Sequence, residues 1–362
     1  MSRINGRLTS DSKAEPGTVS CFVPAAEGCC CFPDDKNTSE PDQCQFNDDE
    51  ISIVIGSQTQ ANLNVREHRS NLPDRVLRAL DEIVSDNRSG AAEILRRGAA
   101  LYSQLDSASA RETIDSLSVE LARAQPHMSP LIRLANEVLK SSPDAAARFV
   151  ENAARAASAA ATHAASLIDE GARVLTHSRS STVLEAFAQA RRAGKSFSIV
   201  ATESRPLFEG RTLAEALVKQ HVPVTVIVDA AAALAIEEVD LVLAGADAIT
   251  PVSVINKVGT RMIALAAREK GIRAFSVCDT SKFICEDCLA PEREHSNAEL
   301  WPDAPPEVNI TNHYFESTPL SLFTGIVTEH GILSSKEAAQ RADEVSINRR
   351  LADALKGERE IK

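Results

Sequence analysis

Apolar residues follow two different spacings along this chain, and the change from one to the other falls at Gly171. From Leu72 they recur every three to four residues. In 73–84, Val76, Leu77, Leu80, Ile83 and Val84 share one helical face. A break at 86–90 precedes a second predicted helix at 91–101, and 117–123 and 131–140 read as two more. Ser142-Pro143-Asp144 has the residues of a helix start: Ser as N-cap, Pro in the first turn, Asp beside the positive helix end. The alanine-rich run behind it can continue to Glu170, about 42 Å at 1.5 Å per residue, before Gly171 stops it. Residues 72–171 are therefore expected to form an all-helical domain.

Beyond Gly171 the pattern becomes short β-branched or apolar runs at 173–176, 197–201, 222–228, 241–244 and 274–277. Helix-patterned segments lie between them at 181–192, 212–220, 230–238 and 257–270. Strands that look buried, alternating with helices, make a parallel sheet covered on both faces. The fold class is thus α/β, a helical N-terminal domain followed by a sheet domain over 172–345, with 346–362 as a C-terminal tail. Ligands of such sheets sit at the carboxyl ends of the strands.

Residues 1–50 show no period and are rich in Ser, Asp, Pro, Gly and Cys, so 1–71 is expected to be a disordered tail and connector, with a short strand at 51–55 (ISIVI). The 362 residues carry a net charge of -12, which argues against a broad nucleic-acid surface built on clustered Lys and Arg. A phosphorylated small molecule needs only a few local donors. No apolar run approaches the roughly 20 residues of a membrane helix, and the start lacks an apolar signal core. A cytoplasmic location is expected, with the eight cysteines as reduced thiols. Cys285-x-x-Cys288 has the spacing that could begin a zinc site, but no second pair stands at finger-like spacing, so neither metal nor cofactor is expected.

Three strand ends carry candidate chemistry. The first runs into Thr176-His177-Ser178-Arg179-Ser180-Ser181-Thr182, where free helix N–H groups attract an anion. A plain N-cap turn would need only one of those hydroxyls. The second ends in Thr202-Glu203-Ser204-Arg205-Pro206, with Arg211 at the next helix start. Arg205 and Arg211 either grip phosphate or sugar oxygens, or Glu203 and Arg205 form a structural ion pair. The fourth ends in Gly245-Ala246-Asp247, followed by Asn256-Lys257-Val258-Gly259-Thr260 at a predicted helix start. A carboxylate at a strand tip beside an amide and an ammonium suits acid–base work on a polyol phosphate.

Taken in order, VLTHSRSSTV, ATESRPLFEGRTLAEAL, GADAIT…INKVGT and the late YFESTP and GIVTE segments resemble one family across about 72–343. It comprises the alpha, beta and delta subunits of translation initiation factor 2B and two isomerases, of methylthioribose 1-phosphate and of ribose 1,5-bisphosphate. The resemblance implies a Rossmann-like C-terminal domain and a sugar-phosphate pocket between the domains. It also implies dimerisation through the C-terminal domain, with assembly among related subunits. The isomerases use a Cys after Thr-His and the Asp of Gly-Ala-Asp; here Ser178 and Asp247 stand there, and Asn256 and Lys257 match the ligand-binding Asn-Lys. A serine hydroxyl cannot be tuned into a base as a thiol can without a helper. Their Arg-Gly-Ala appears as Ser89-Gly90-Ala91, with Arg88 one step early, and their Arg-Pro-Thr as Gln125-Pro126-His127.

The sequence therefore points to a regulatory or ligand-binding member that holds a sugar phosphate or similar nucleotide-derived metabolite. The alternative is an active aldose–ketose isomerase using Asp247. Arg88, Gly90, Ala91, Arg179, Ser180, Glu203, Arg205, Arg211, Asn256 and Lys257 are the expected ligand contacts, and Asp247 and Ser178 the catalytic pair. The apolar stretch 320–327 is expected to need cover from a second copy. Light scattering at micromolar concentration should give a dimer, and the 38.9 kDa monomer mass would overturn that expectation.

Overall fold

The computed structural model describes residues 68–105, 110–289, 292 and 295–356, all within one compact unit. The cysteine-rich tail, the expected strand at 51–55 and the connector up to residue 67 lie outside the described residues. The helical part contains α1 (Asp74–Ser85), α2 (Ala91–Tyr102), α3 (Arg111–Ala124), α4 (Ser129–Lys140) and α5 (Ala145–Ser166). The face read from the sequence of α1 is the buried one, with Val76, Leu80 and Ile83 inside. They pack with Ile94, Leu101, Leu117, Leu131 and Leu134 into a core of their own.

The chain then alternates: β1 (Arg173–His177), α6 (Ser181–Arg192), β2 (Ser198–Thr202), α7 (Glu209–Lys219), β3 (Val224–Ile227), α8 (Ala232–Ala235), β4 (Leu241–Ala244). Next come β5 (Ala248–Ile249), β6 (Ser253–Lys257), α9 (Thr260–Lys270) and β7 (Arg273–Val277). The chain closes with β8 (Phe315–Pro319), β9 (Gly325–Thr328), β10 (Gly331–Leu333), α10 (Ser335–Asp343) and α11 (Arg349–Lys356). The main sheet has the order β10-β9-β7-β4-β1-β2-β3, parallel except for β10. Apolar cores cover both of its faces. The chain works outward from β1 to β3, then returns to β4 on the other side of β1. The crevice between the carboxyl ends of β1 and β4 is thus the switch point of a doubly wound sheet. A small antiparallel sheet, β5-β6-β8, stands beside it.

Several expectations change. Helix α5 has 22 residues, about 33 Å, and ends at Ser166 rather than Glu170. Lys195 Nζ donates to the carbonyls of Ala165 (3.0 Å) and Ile168 (2.6 Å), satisfying the exposed end, while Ile168 turns into the sheet core. The expected Ser142 cap is not made; Asp144 holds the N-cap position without a side-chain bond. Residues 253–257 form β6 because pairing with β5 and β8 outweighs helical pattern, and the helix starts only after Gly259, whose φ of 107° needs glycine. The segment 230–238 is broken into short turns around α8, and α7 begins three residues early, at Glu209.

Cys285 and Cys288, expected as reduced thiols, form a disulfide. The 3₁₀ turn between them leaves their Cα atoms 5.6 Å apart, within ordinary disulfide range. Bonded to each other, they offer no thiolate to a metal. The stretch 320–327 is covered by its own chain: Leu320, Leu322, Phe323, Ile326 and Val327 are buried in the two sheet cores. The tail from 346 includes α11, whose Leu351 and Leu355 close a fourth core with Val119 and Ile132 of the helical part.

Asn136 on α4 secures that closure. It is buried, donates to Ser346 O at 3.1 Å and accepts from Asn348 N–H at 2.7 Å, just before α11 begins. Asn136→Ala leaves the Asn348 N–H unpaired and Ser346 O with the Lys140 ammonium alone, and should cost about 1–3 kcal/mol, read as a lower urea midpoint. An unchanged midpoint would show that α11 docks by its leucines alone.

Candidate functional site

A cavity of about 710 Å³ opens between the helical part and the carboxyl ends of β1 and β4. One wall is the start of α6, from Ser178 to Thr182. A second is the β4–β5 turn with Gly245, Ala246 and Asp247, continued by Asn256 and Lys257 at the end of β6. The helical part contributes 86–92, 124–128 and the alanine face of α5 (Ala153, Ala154, Ala157). His295, Tyr314 and Phe315 close the top, the first two stacked with ring centroids 3.5 Å apart.

A buried hydrogen-bond chain shapes the α6 side. His177 Nε2 lies 2.9 Å from the Val258 carbonyl and must carry the hydrogen; Nδ1 therefore accepts from the Thr202 hydroxyl at 2.6 Å. Thr202 Oγ1 is 3.1 Å from Ser204 Oγ, which accepts the Ser178 N–H at 2.8 Å. Both carboxylate oxygens of Asp229 accept backbone N–H groups, from Ser204 and Arg205, each at 2.8 Å. This lattice holds Ser178 and Ser204 in the left-handed region, at φ 63° and 61°, where a serine is strained. Burial lowers the His177 pKa and keeps the imidazole neutral, against the pull of its bond to Val258 O and of Asp229. Gly245 allows the β4 turn to approach α6: a Cβ there would stand 2.6 Å from that of Ser180.

The charged groups are arranged around Lys257, which is only 2% exposed. Its ammonium is 3.2 Å from Glu209 Oε1 and lies over the rings of Tyr314 (4.8 Å) and Phe315 (5.2 Å). Burial raises the Glu209 carboxyl above its usual range, and Lys257 opposes the shift. Asp247 is likewise raised by burial, opposed by Lys282 and then Lys257. Among the described residues nothing hydrogen-bonds its carboxylate; its backbone is fixed by Ile255 O, which accepts its N–H, and by Ser129 N–H, which donates to its carbonyl. Such a carboxyl can hold or release a proton against a ligand oxygen. Cys278 also lines the cavity, but burial pushes its thiol well up, so it presents no thiolate.

Ser178, Arg179, Ser180, Asp247, Asn256, Lys257, Arg88, Gly90 and Ala91 all line this one cavity. Arg88 and Arg179 are exposed at its edge, Gly90 is the N-cap of α2, and Ser180 caps α6 by accepting from Val183 N–H. Asn256 donates to Thr260 Oγ1 at 2.9 Å. Glu203, Arg205 and Arg211 do not line it. Glu203 pairs with Arg211 at 3.0 Å rather than with Arg205, and both guanidinium groups lie over the Phe208 ring. Arg205 also points at the carbonyls of Glu299 and Leu300. Sequence reasoning passed over Glu209, Lys282 and the lid pair His295 and Tyr314. Glu209 stands in quoted sequence (LFEGRT), but nothing in its spacing marks it as facing inward.

Residues 75–335 match the sequence profile of the Initiation factor 2 subunit family (IF-2B). A translation initiation factor eIF-2B subunit 2-like protein of Pyrococcus furiosus is 32% identical over 275 residues, 72% of this chain and 97% of that one. A ribose 1,5-bisphosphate isomerase of Methanocaldococcus jannaschii is 29% identical over 263 residues, 68% of this chain and 85% of that one. The crystal structure of the translation initiation factor eIF-2B of Pyrococcus horikoshii superposes with a TM-score of 0.65 at 32% identity, covering 72% of this chain and 98% of that one.

The neutral His177 has a consequence for stability. The unfolded chain binds a proton on this residue at about pH 6.5 and the folded chain only at lower pH. Folding is therefore opposed as pH falls below that value, by up to about 1.4 kcal/mol per pH unit from this residue. His177→Gln should show a flatter decline of the urea midpoint over that window than the unmodified protein. Parallel declines would show that His177 does not set the acid limit.

Proposed function

Because the chain belongs to the Initiation factor 2 subunit family, we propose that it is a ligand-binding, regulatory-type member that holds a phosphorylated sugar in the cavity at the β1–β4 switch point. The observation that carries this reading is the buried Lys257 ammonium. It faces the same space as the serine-rich start of α6, where free N–H groups and the helix dipole favour an anion. Asn256 and the raised Asp247 carboxyl supply polar partners for sugar hydroxyls, and the alanine face of α5 admits the carbon skeleton without crowding. Arg88 and Arg179 stand at the edge to meet phosphate oxygens. Pairing with a second copy or with related subunits belongs to the same proposal.

A second reading, aldose–ketose isomerisation, is favoured by one specific observation: Asp247 carries a raised, unbonded carboxyl at the strand tip. There it would move protons between sugar oxygens and carbons, with Ser178 orienting the ring. Among the described residues Ser178 has no adjacent base, since the His177 nitrogens are both engaged elsewhere, and the Cys278 thiol that lines the cavity is buried and protonated. Binding is therefore placed ahead of turnover.

Calorimetric titration with ribose 1-phosphate and ribose 1,5-bisphosphate tests both readings. Lys257→Ala should weaken binding by about 1.5–3 kcal/mol, roughly 10- to 150-fold. Asp247→Asn should leave affinity within a few-fold and remove any ketose formation. Ser178→Cys should add little activity. No heat and no change in melting temperature with either compound would overturn the binding reading, and rapid ketose formation by the unmodified protein would put isomerisation first.

A further inference from the structure

Glu209 is the first residue of α7 and lines the cavity. Its two oxygens are treated differently. Oε1 lies 3.2 Å from Lys257 Nζ, whereas Oε2 is buried without a hydrogen-bond partner among the described residues. A buried carboxylate oxygen with no donor is costly. A donor from a ligand or a water, or a proton on the group itself, relieves that cost. The groups facing Glu209 are Lys257 on β6, Asp247 in the β4–β5 turn, and Asp229 after β3. The Tyr314 phenol before β8 is close enough to feel its charge. His177, at the end of β1, is neutral. The Lys257 ammonium is thus shared by Glu209 and Asp247 in a space of low dielectric, with Lys282 acting on Asp247 as well.

We propose that Glu209 is a proton-accepting ligand contact: when an anionic group settles against Lys257, Glu209 takes one proton from solvent and its Oε2–H donates to a ligand oxygen. This rests on the reading of the cavity as a sugar-phosphate site. The step forms one O–H bond, consumes one solvent proton and exchanges nothing else. Its cause is charge competition. The arriving anion shares the field of Lys257, so a Glu209 left ionised would face it and Asp247 with less compensation. Protonation removes that repulsion and converts an unpaired acceptor into a donor. By linkage, the ligand binds more tightly as pH falls through the carboxyl range of the complex.

Calorimetry with ribose 1-phosphate in two buffers of different ionisation enthalpy counts the protons taken up. Glu209→Gln, neutral and of the same shape, is titrated alongside, so protons belonging to the phosphate cancel in the difference. Over the weakly acidic range the unmodified protein should take up as much as one proton more per ligand, and Glu209→Asp should restore the uptake. Infrared difference spectra should show a protonated-carboxyl band appearing with ligand, displaced in Glu209→Asp, which reports even where the Gln variant fails to fold. Equal uptake in the unmodified and Gln proteins, or no such band, overturns this inference while leaving the binding reading intact. No binding at all by the unmodified protein overturns both.

Discussion

Helix α5 contributes Ala146 to the helical core near one end and Ala161, Ala164 and Ala165 to the sheet core near the other. The spacing of the two cores is therefore the length of one rigid rod. Its middle residues Ala154 and Ala157 belong to neither core and line the cavity, which Ala153 also lines while packing against the helical core. The small side chains have a second effect: α6 and the helical part can both pack closely on α5, leaving the space beside it open rather than filled. A parallel constraint comes from α4, where Ser129, Arg133, Asn136 and Lys140 recur at helical spacing and all bind backbone carbonyls of the sheet part. Ser129 is fully buried, with Oγ 2.7 Å from Lys282 O and 3.0 Å from Asp247 O. The helical part thus grips the very turn that carries the candidate acid.

Position at the switch point explains which side chains meet. Crossing from β3 back to β4 leaves the ends of β1 and β4 without a covering helix between them, so Ser178 and Asp247 share one opening. Neither is placed by its own side chain. The strained backbone of Ser178 is held through Ser204, Thr202 and His177, and Asp247 through Ile255 and Ser129. Side-chain freedom is thereby reserved for the ligand. The small β5-β6-β8 sheet adds Lys257 and the rings over it, bringing residues some sixty positions apart into register: Lys257 pairs with Phe315.

The parallel strands and most helices were legible because their spacing is set locally by burial: 173–176 and 241–244 read as apolar runs since both faces of the sheet are covered. Asp247 was legible for a related reason, as a polar residue at the tip of such a run, whereas Asn256 and Lys257 were read at a helix start and from their match to the family's Asn-Lys. What escaped reading depends on partners distant in sequence. Ser253–Lys257 is a strand only because 315–319 pairs with it. The polar stripe of α4 looks like a solvated face, and its carbonyl partners lie more than a hundred residues away. Arg205 and Arg211 show the converse. Both sit near a strand end, but Phe208, itself at a left-handed φ of 59°, gathers their guanidinium groups onto its ring and away from the cavity. Leu320–Val327 looked exposed for want of a visible partner, yet β7 and the helices beside it cover it.

Net acidity and the proposed anion binding are reconciled by distance. At physiological ionic strength a charge is screened beyond about 8 Å, so most of the net -12 does not reach the cavity. What the proposed ligand would meet is the local set: Lys257 and Lys282 within, Arg88 and Arg179 at the edge, and the carboxyls of Asp247 and Glu209. If both carboxyls were ionised, the two inner ammonium groups would be cancelled and little attraction would remain. Burial raises both carboxyls, and each proton taken up as an anion arrives would shift the interior towards positive charge. The same desolvation that makes the two acids reluctant to ionise would thus favour the proposed anionic ligand, without adding a single basic residue.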